Sequence, residues 1–237
     1  MQSEITMTKG SNVNDLLIEC RLRCDRAEEH LCQLNANISS YLEFEKGKVF
    51  ATMDEKTNIA SLGFTAPPEG PPPTFSILIG EIVYNLRASL DYLVFLLALV
   101  DSGVEQNRTQ FPIYDSDQDF RRNAPTRLCG ICDSNVGRLE ALQPYRSIKW
   151  TRTLRDLSNP DKHRHLTMLS REGQQVLTVK KHEEGYDTEF ELPLEVCFEN
   201  GNPVLATLRD LHGHVLDTVV SFEDVLAKGP GKKGKAC

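Results

Sequence analysis

The chain has 237 residues, of which 40% are hydrophobic and 26% charged, and a formal net charge of −7 at pH 7. That balance is globular rather than disordered, with enough chain to bury a sizeable core. The acidic excess excludes a protein that coats nucleic acid non-specifically, since such binding needs net neutralisation of phosphates; a local basic patch stays open.

In chain order, the first predicted element is a helix over residues 13–44. Leu17, Cys20, Cys24, Ala27, Leu31, Leu34, Ile38 and Tyr41 recur at alternating three- and four-residue steps, while Arg21, Arg23, Asp25, Arg26, Glu28 and Glu29 fill the opposite face. The stripe makes it a packing helix, in the core or at a homodimer seam. Two short segments, Lys48 to Met53 and Asn58 to Phe64, flank a polar turn and read as a β-hairpin. The proline-rich stretch 66–73 can be neither helix nor central strand, and it leads to Thr74 as the expected N-cap of a second long helix, Phe75 to about Val100. One side of that helix carries Ile79, Ile82, Val83, Leu86, Leu90, Leu93 and Leu97. The other carries Glu81, Tyr84, Asn85, Arg87, Ala88, Asp91 and Tyr92, polar groups in a setting that demands partners, because an unpaired buried donor costs about 1–3 kcal/mol. Arg87 and Asp91 either pair at i,i+4 or reach another element.

From Asp101 to Arg127 the chain reads as loop, with a short helix around Gln118 to Arg122; Asn135 to Leu142 and Ser147 to Leu157 read as helices. Beyond Leu166 the periodicity changes. Gln175 to His182, Thr188 to Phe198, Val204 to Arg209 and Val215 to Phe222 have strand composition, separated by EEGYD, ENGNP and LHGH. The resulting expectation is an α+β fold: a tail at 1–12, a mainly helical core at 13–166 built as an antiparallel bundle with a β-hairpin at 48–64, an antiparallel β region at 167–228 packed on the helices, and a flexible basic tail at 229–237.

The opening MQSEITMTKG lacks the apolar stretch of an export signal, and the most apolar run, Tyr92 to Val100, is too short to span a bilayer, so the expected location is cytoplasmic with no membrane partner. Seven cysteines, an odd number, fit a reducing compartment. Cys129-Gly130-Ile131-Cys132 has the CxxC spacing of zinc knuckles, but a zinc site would need a second ligand pair, for which His163 and His165 are the nearest offer. A single CxxC with HxH is not a standard structural spacing, so no metal is expected, with Cys129 and Cys132 the residues to check. No P-loop, GxGxxG or HExxH occurs, and no cofactor is expected.

The chemistry concentrates elsewhere. Arg146, Lys149, Arg152, Arg155, Lys162 and Arg164 face only Asp156 and Asp161 in the same stretch, a local excess of four positive charges able to focus a field on an anion. Within it, LSNPDKHRHL, residues 157–166, allows two readings. A helix continuing through Pro160 puts Arg155, Asn159 and His163 on nearly one face; a new helix starting at Pro160 makes Asn159 its N-cap. His163 is the residue whose proton moves near neutral pH.

The ordered segments 80–93 (GEIVYNLRASLDYL), Phe111-Pro112-Ile113, Leu142-Gln143-Pro144-Tyr145 and Leu154 to Arg164 resemble a bacterial protein family of unassigned activity that carries G(D/E)xxxNLRxxLDxL, FPI, LQPY and LxxLxNxDKHR. The resemblance covers residues 75 to 166 and implies that Asn85, Arg87, Asp91, Asn159, Asp161, Lys162, His163 and Arg164 meet in space. A more distant likeness is to the HEPN superfamily, helical domains that include metal-independent ribonucleases with an Arg and a His four to six residues apart on one helix. Here seven residues, Pro160 among them, separate Arg155 from His163. An RNase built on this chain would use His163 as acid or base, with Arg87 or Arg155 stabilising the phosphorane charge. Three readings follow: a polar site for an anionic small molecule or a partner, a HEPN-like ribonuclease acting on RNA, or an ion-pair network, Arg87 with Asp91 or Asp161, that only locks helices.

Overall fold

The structure, a computed structural model, describes residues 13–44, 49–54, 59–64, 70–163, 169–173, 176–182, 185–191 and 194–227, with side chains over 17–42, 70–158, 169 and 195–227. Its body is a helical bundle, not an α+β fold with a C-terminal sheet. Helix α1 (Val13–Phe44) and helix α2 (Pro73–Ser102) form the central pair. Their contacts run in opposite order along the two chains, Arg23 to Tyr92, His30 to Glu81 and Tyr41 to Phe75, so the pair is antiparallel. The stripe expected of α1 is the one it buries: Cys20, Cys24, Ala27, Leu31, Leu34 and Ile38 all lie in the core. Among the described residues α2 is the one helix long and apolar enough to cross a membrane, and 67% of its apolar window is buried inside the bundle.

Helix α2 begins at Pro73 with Pro72 as its cap residue, two residues earlier than a Thr74 cap would place it. Proline suits the first helical position, where its missing N–H is not needed. The helix ends in a left-handed Gly103, φ 73°, whose N–H closes on Leu99 O. Helix α3 (Asp117–Arg127) follows, capped by Ser116, whose hydroxyl accepts the Asp119 N–H at 3.1 Å. Then come α4 (Asp133–Glu140), a 3₁₀ turn at Pro144–Arg146 and α5 (Lys149–His163).

The C-terminal region departs furthest from the expectation. The segments read as strands at 204–209 and 215–222 are one helix, α6 (Val204–Ser221), followed by the short α7 (Glu223–Leu226). Val204, Leu208, Leu211, Val215 and Val219 are buried along it at three- and four-residue steps, and this helical stripe outweighs the β-branched composition. The LHGH that looked like a turn lies in the helix: Gly213 has open space where a side chain would sit, and its helix cost of about 1 kcal/mol is outweighed by burial on either side. Arg21 bonds Glu223, the His212 ring lies 3.2 Å from Cys24 O, and Arg209 donates to Asn35, so α6 and α7 run antiparallel to α1. Among the described residues the strands form two-stranded antiparallel ladders and no wider sheet. β1 (Val49–Asp54) pairs with β2 (Ile59–Phe64), β3 (Leu169–Gly173) with β6 (Leu194–Phe198), and β4 (Val176–His182) with β5 (Gly185–Glu191). Val196 and Phe198 of β6 are buried with the helical core.

Candidate functional site

The polar groups of α2 are explained first by a backbone they hold. Arg87 and Asp91, one turn apart, approach each other loosely at 3.6 Å, and both reach the main chain of Phe111. Asp91 accepts the Phe111 N–H at 2.8 Å, and an Arg87 Nη2–H donates to the Phe111 carbonyl. The buried Phe111 ring lies under the guanidinium, 5.8 Å from its carbon. A second fixture holds the next residues. Gln143, fully buried, donates to Pro112 O at 2.9 Å and Leu139 O at 3.1 Å, and its oxygen accepts the Tyr114 N–H at 3.0 Å. Thr151 of α5 donates to Leu142 O at 2.9 Å, tying the turn before the 3₁₀ segment to the next helix. NLRASLD, FPI and LQPY therefore meet around one irregular stretch, whose backbone groups find side-chain partners because no ladder pairs them.

Beside that stretch lies an open pocket of about 220 Å³, bounded by Arg87 from α2, the 110–114 backbone, Arg127 from α3, and Arg155 and Ser158 from α5. The Arg87 side chain is nine-tenths buried, and its Nη1 has no hydrogen-bond partner among the described residues. Burial pushes the Arg87 pKa down from the ordinary guanidinium value; Asp91 acts against this, and nearby Arg127 adds to it. Arg155 donates from Nη1 to Asp115 at 2.6 Å and from Nε and Nη2 to Asp156 at 2.9 and 2.8 Å. Partial burial opposes its charge, but the bonds to Asp156 and Asp115 outweigh that and raise its pKa. The same hydrogen bond from Arg155 holds the Asp115 carboxyl below the usual range, and Arg152, 3.1 Å away, adds to the effect. Arg127 is exposed and makes no ion pair among the described residues. Three arginines from three helices thus line one small space, and one of them carries a buried N–H without a partner among the described residues.

Not every residue expected here is present. Asn85 points the other way: it accepts from Arg23 at 3.1 Å and donates to Glu81 O at 2.8 Å, inside the contact with α1, where Arg23 also bonds Tyr92 at 3.0 Å. Two residues along a helix turn through about 200°, which separates Asn85 from Arg87. Helix α5 runs unbroken through Pro160 to His163, so Asn159 does not cap a new helix. Its backbone carries positions 159 and 163 on the side of Arg155. The side chains of Asn159, Asp161, Lys162 and His163 lie outside the described residues, as do Arg164 and His165 altogether. Cys129 donates to Gln106 at 3.4 Å, and the Cys132 thiol lies 3.2 Å from the Ser134 hydroxyl, its N–H bonded to Asp101. Among the described residues no group of three or more His, Cys, Asp or Glu is placed to hold a metal.

Two contributors escaped the sequence reading. Arg127 sits in no motif, at the end of a helix expected to stop at Arg122, and no spacing rule connects it to Arg87. Gln143 stood in the quoted LQPY, and a glutamine between leucine and proline before a turn was the available signal for a backbone clamp. Comparison of the chain with protein-family models, curated proteins and solved structures finds no match. Fold and site together define a helical bundle with an arginine-bordered pocket at the meeting of α2, α3 and α5.

Proposed function

We propose that the chain binds a small anion of the phosphate class in the pocket among Arg87, Arg127 and Arg155. The observation that carries this is that Arg87, a residue lining the pocket, has a buried Nη1 without a hydrogen-bond partner among the described residues. An unsatisfied buried donor costs about 1–3 kcal/mol, and such groups are rare without a use. An oxyanion accepting from Nη1 removes that cost and meets the other two guanidiniums with charge-assisted bonds. A tetrahedral group suits them better than a planar carboxylate, because its oxygens are not confined to one plane and the three arginines arrive from three helices. The arrangement is largely preformed, since Phe111 and Tyr114 are already pinned, and this lowers the ordering cost of binding.

A second reading has its own observation. Arg87 clamps Phe111, and Arg155 is engaged by Asp115 and Asp156, so the same residues serve a structural network. The spare donor of Arg87 separates the two readings. Calorimetric titration with inorganic phosphate at low ionic strength is expected to show saturable, one-to-one binding. Arg127→Gln, on an exposed side chain with no ion pair among the described residues, is expected to weaken it about tenfold, the worth of one charge-assisted bond of about 1.4 kcal/mol, with the urea midpoint unchanged. No saturable heat in the wild-type chain rejects the anion reading.

A further inference from the structure

The anion pocket, about 220 Å³, falls below the roughly 300–1,000 Å³ of pockets that enclose a whole organic ligand, so it suits one group of a larger molecule. A second cleft, of about 490 Å³, is lined from the same two chain segments. The Gln110 N–H ties those segments together by donating to Arg127 O at 3.2 Å; Gln110 and Arg127 border the pocket, and Arg108 and Thr126, one or two residues away in sequence, border the cleft. We propose that the ligand is a phosphorylated polyhydroxy compound, a sugar phosphate, with its phosphate among the three arginines and its hydroxyls in the second cleft. This assignment rests on the anion-binding reading above.

The chemistry of the cleft wall selects the class. Glu105 offers only acceptors, Arg108 only donors, and Asn107 and Thr126 both. A hydroxyl group both donates and accepts, so neighbouring hydroxyls need such a mixed set. None of these four side chains makes a hydrogen bond or ion pair among the described residues. No aromatic ring lines the cleft, so a nucleobase has no stacking platform there. Two features make the wall firm. Arg108 holds a left-handed backbone, φ 67°, a conformation a non-glycine residue keeps only where its surroundings impose it. Gln106 bonds Ser102 and Cys129, and it packs so closely on Gly130 that an added Cβ there would lie 2.8 Å from its side chain.

The test is calorimetry on the full chain with inorganic phosphate, ribose 5-phosphate, glucose 6-phosphate, glycerol 3-phosphate and AMP. At least one of the three phosphorylated polyols is expected to bind tenfold or more tighter than inorganic phosphate, with AMP no tighter than ribose 5-phosphate. Asn107→Ala and Glu105→Ala, on exposed side chains, are expected to remove that increment and leave phosphate affinity within twofold of wild type. If phosphate binds and no polyol phosphate binds tighter, or if AMP exceeds ribose 5-phosphate tenfold, the sugar-phosphate assignment is overturned and the anion pocket stands. If no anion in the series binds, the pocket reading fails and the assignment fails with it.

Discussion

Arg87→Met separates a binding arginine from a structural one, because the two roles predict different losses. The substitution removes a charge-assisted bond to Phe111 O, worth about 1.5–3 kcal/mol, and a loose contact to a partly exposed Asp91 at 3.6 Å, worth about 0–1 kcal/mol. It also removes the buried donor that has no partner among the described residues, a relief of about 1–3 kcal/mol, and puts an apolar chain of similar length where a desolvated charge stood. The relief offsets part of these costs, while the Phe111 carbonyl is left without its partner, so urea unfolding is expected to show a loss of about 1–2 kcal/mol with an unchanged m-value. On the anion-binding reading, phosphate is expected to stabilise the wild-type chain by mass action, about 2.7 kcal/mol at one hundred times Kd, and to leave the Arg87→Met protein unaffected. Breaking a true buried ion pair would instead cost about 3–5 kcal/mol. A loss of that size, with the response to phosphate intact, would refute the reasoning and make Arg87 a strut.

Asp115 competes with any ligand for Arg155, so Asp115→Asn is expected to tighten phosphate binding several-fold at pH 7 in the same titration. Because that carboxyl is held below its ordinary value, its contribution to stability is present above the usual carboxylate range and is lost as pH falls through the lowered value; the Asp115→Asn protein should lose less stability over that acidic interval in pH-dependent urea unfolding. Gln143→Leu deletes three buried hydrogen bonds and leaves Pro112 O and Tyr114 N–H without their partner, for an expected loss of about 2–4 kcal/mol in urea unfolding, with phosphate affinity falling as the 112–114 wall loosens. The Cys20 thiol is pushed up to about 12, chiefly by burial, and Cys24 is raised for the same reason, so native labelling with iodoacetamide at pH 8 should leave both unmodified while exposed Cys32 and Cys132 react, as read by peptide mass spectrometry.

The two long helices were legible because their apolar residues repeat over many turns: six of the eight stripe positions of α1 are buried and the other two, Leu17 and Tyr41, partly so, while α2 differs by a few residues at each end. The C-terminal half was misread because local cues there disagree with the longer period. Thr, Val and a central Gly suggested strands and a turn, whereas the spacing from Val204 to Val219 is helical once LHGH is read through rather than treated as a break. Of the site, the pairing of Arg87 and Asp91 was visible as an i,i+4 relation, but their shared target was not. Phe111 lies twenty residues beyond Asp91, and a bond between side chain and backbone leaves no mark on either residue type. Asn85 was grouped with Arg87 on the polar side of the helix and through the NLRxxLD resemblance, although the 100° step of a helix sends the two toward different neighbours. Arg127 reaches the pocket through the path of α3, a property of tertiary packing alone.

The hold on Phe111 also sets how this part of the molecule breathes. Its amide belongs to a connecting loop, yet it bonds a carboxylate rooted in the most deeply buried helix of the bundle. Hydrogen exchange at that amide therefore needs the loop to leave α2 or Asp91 to change rotamer, while the exposed Asn107 and Arg108 a few residues earlier are free of that anchor. Protection should rise sharply between residues 108 and 111, dividing one connection into a part that opens with solvent and a part that opens with the core.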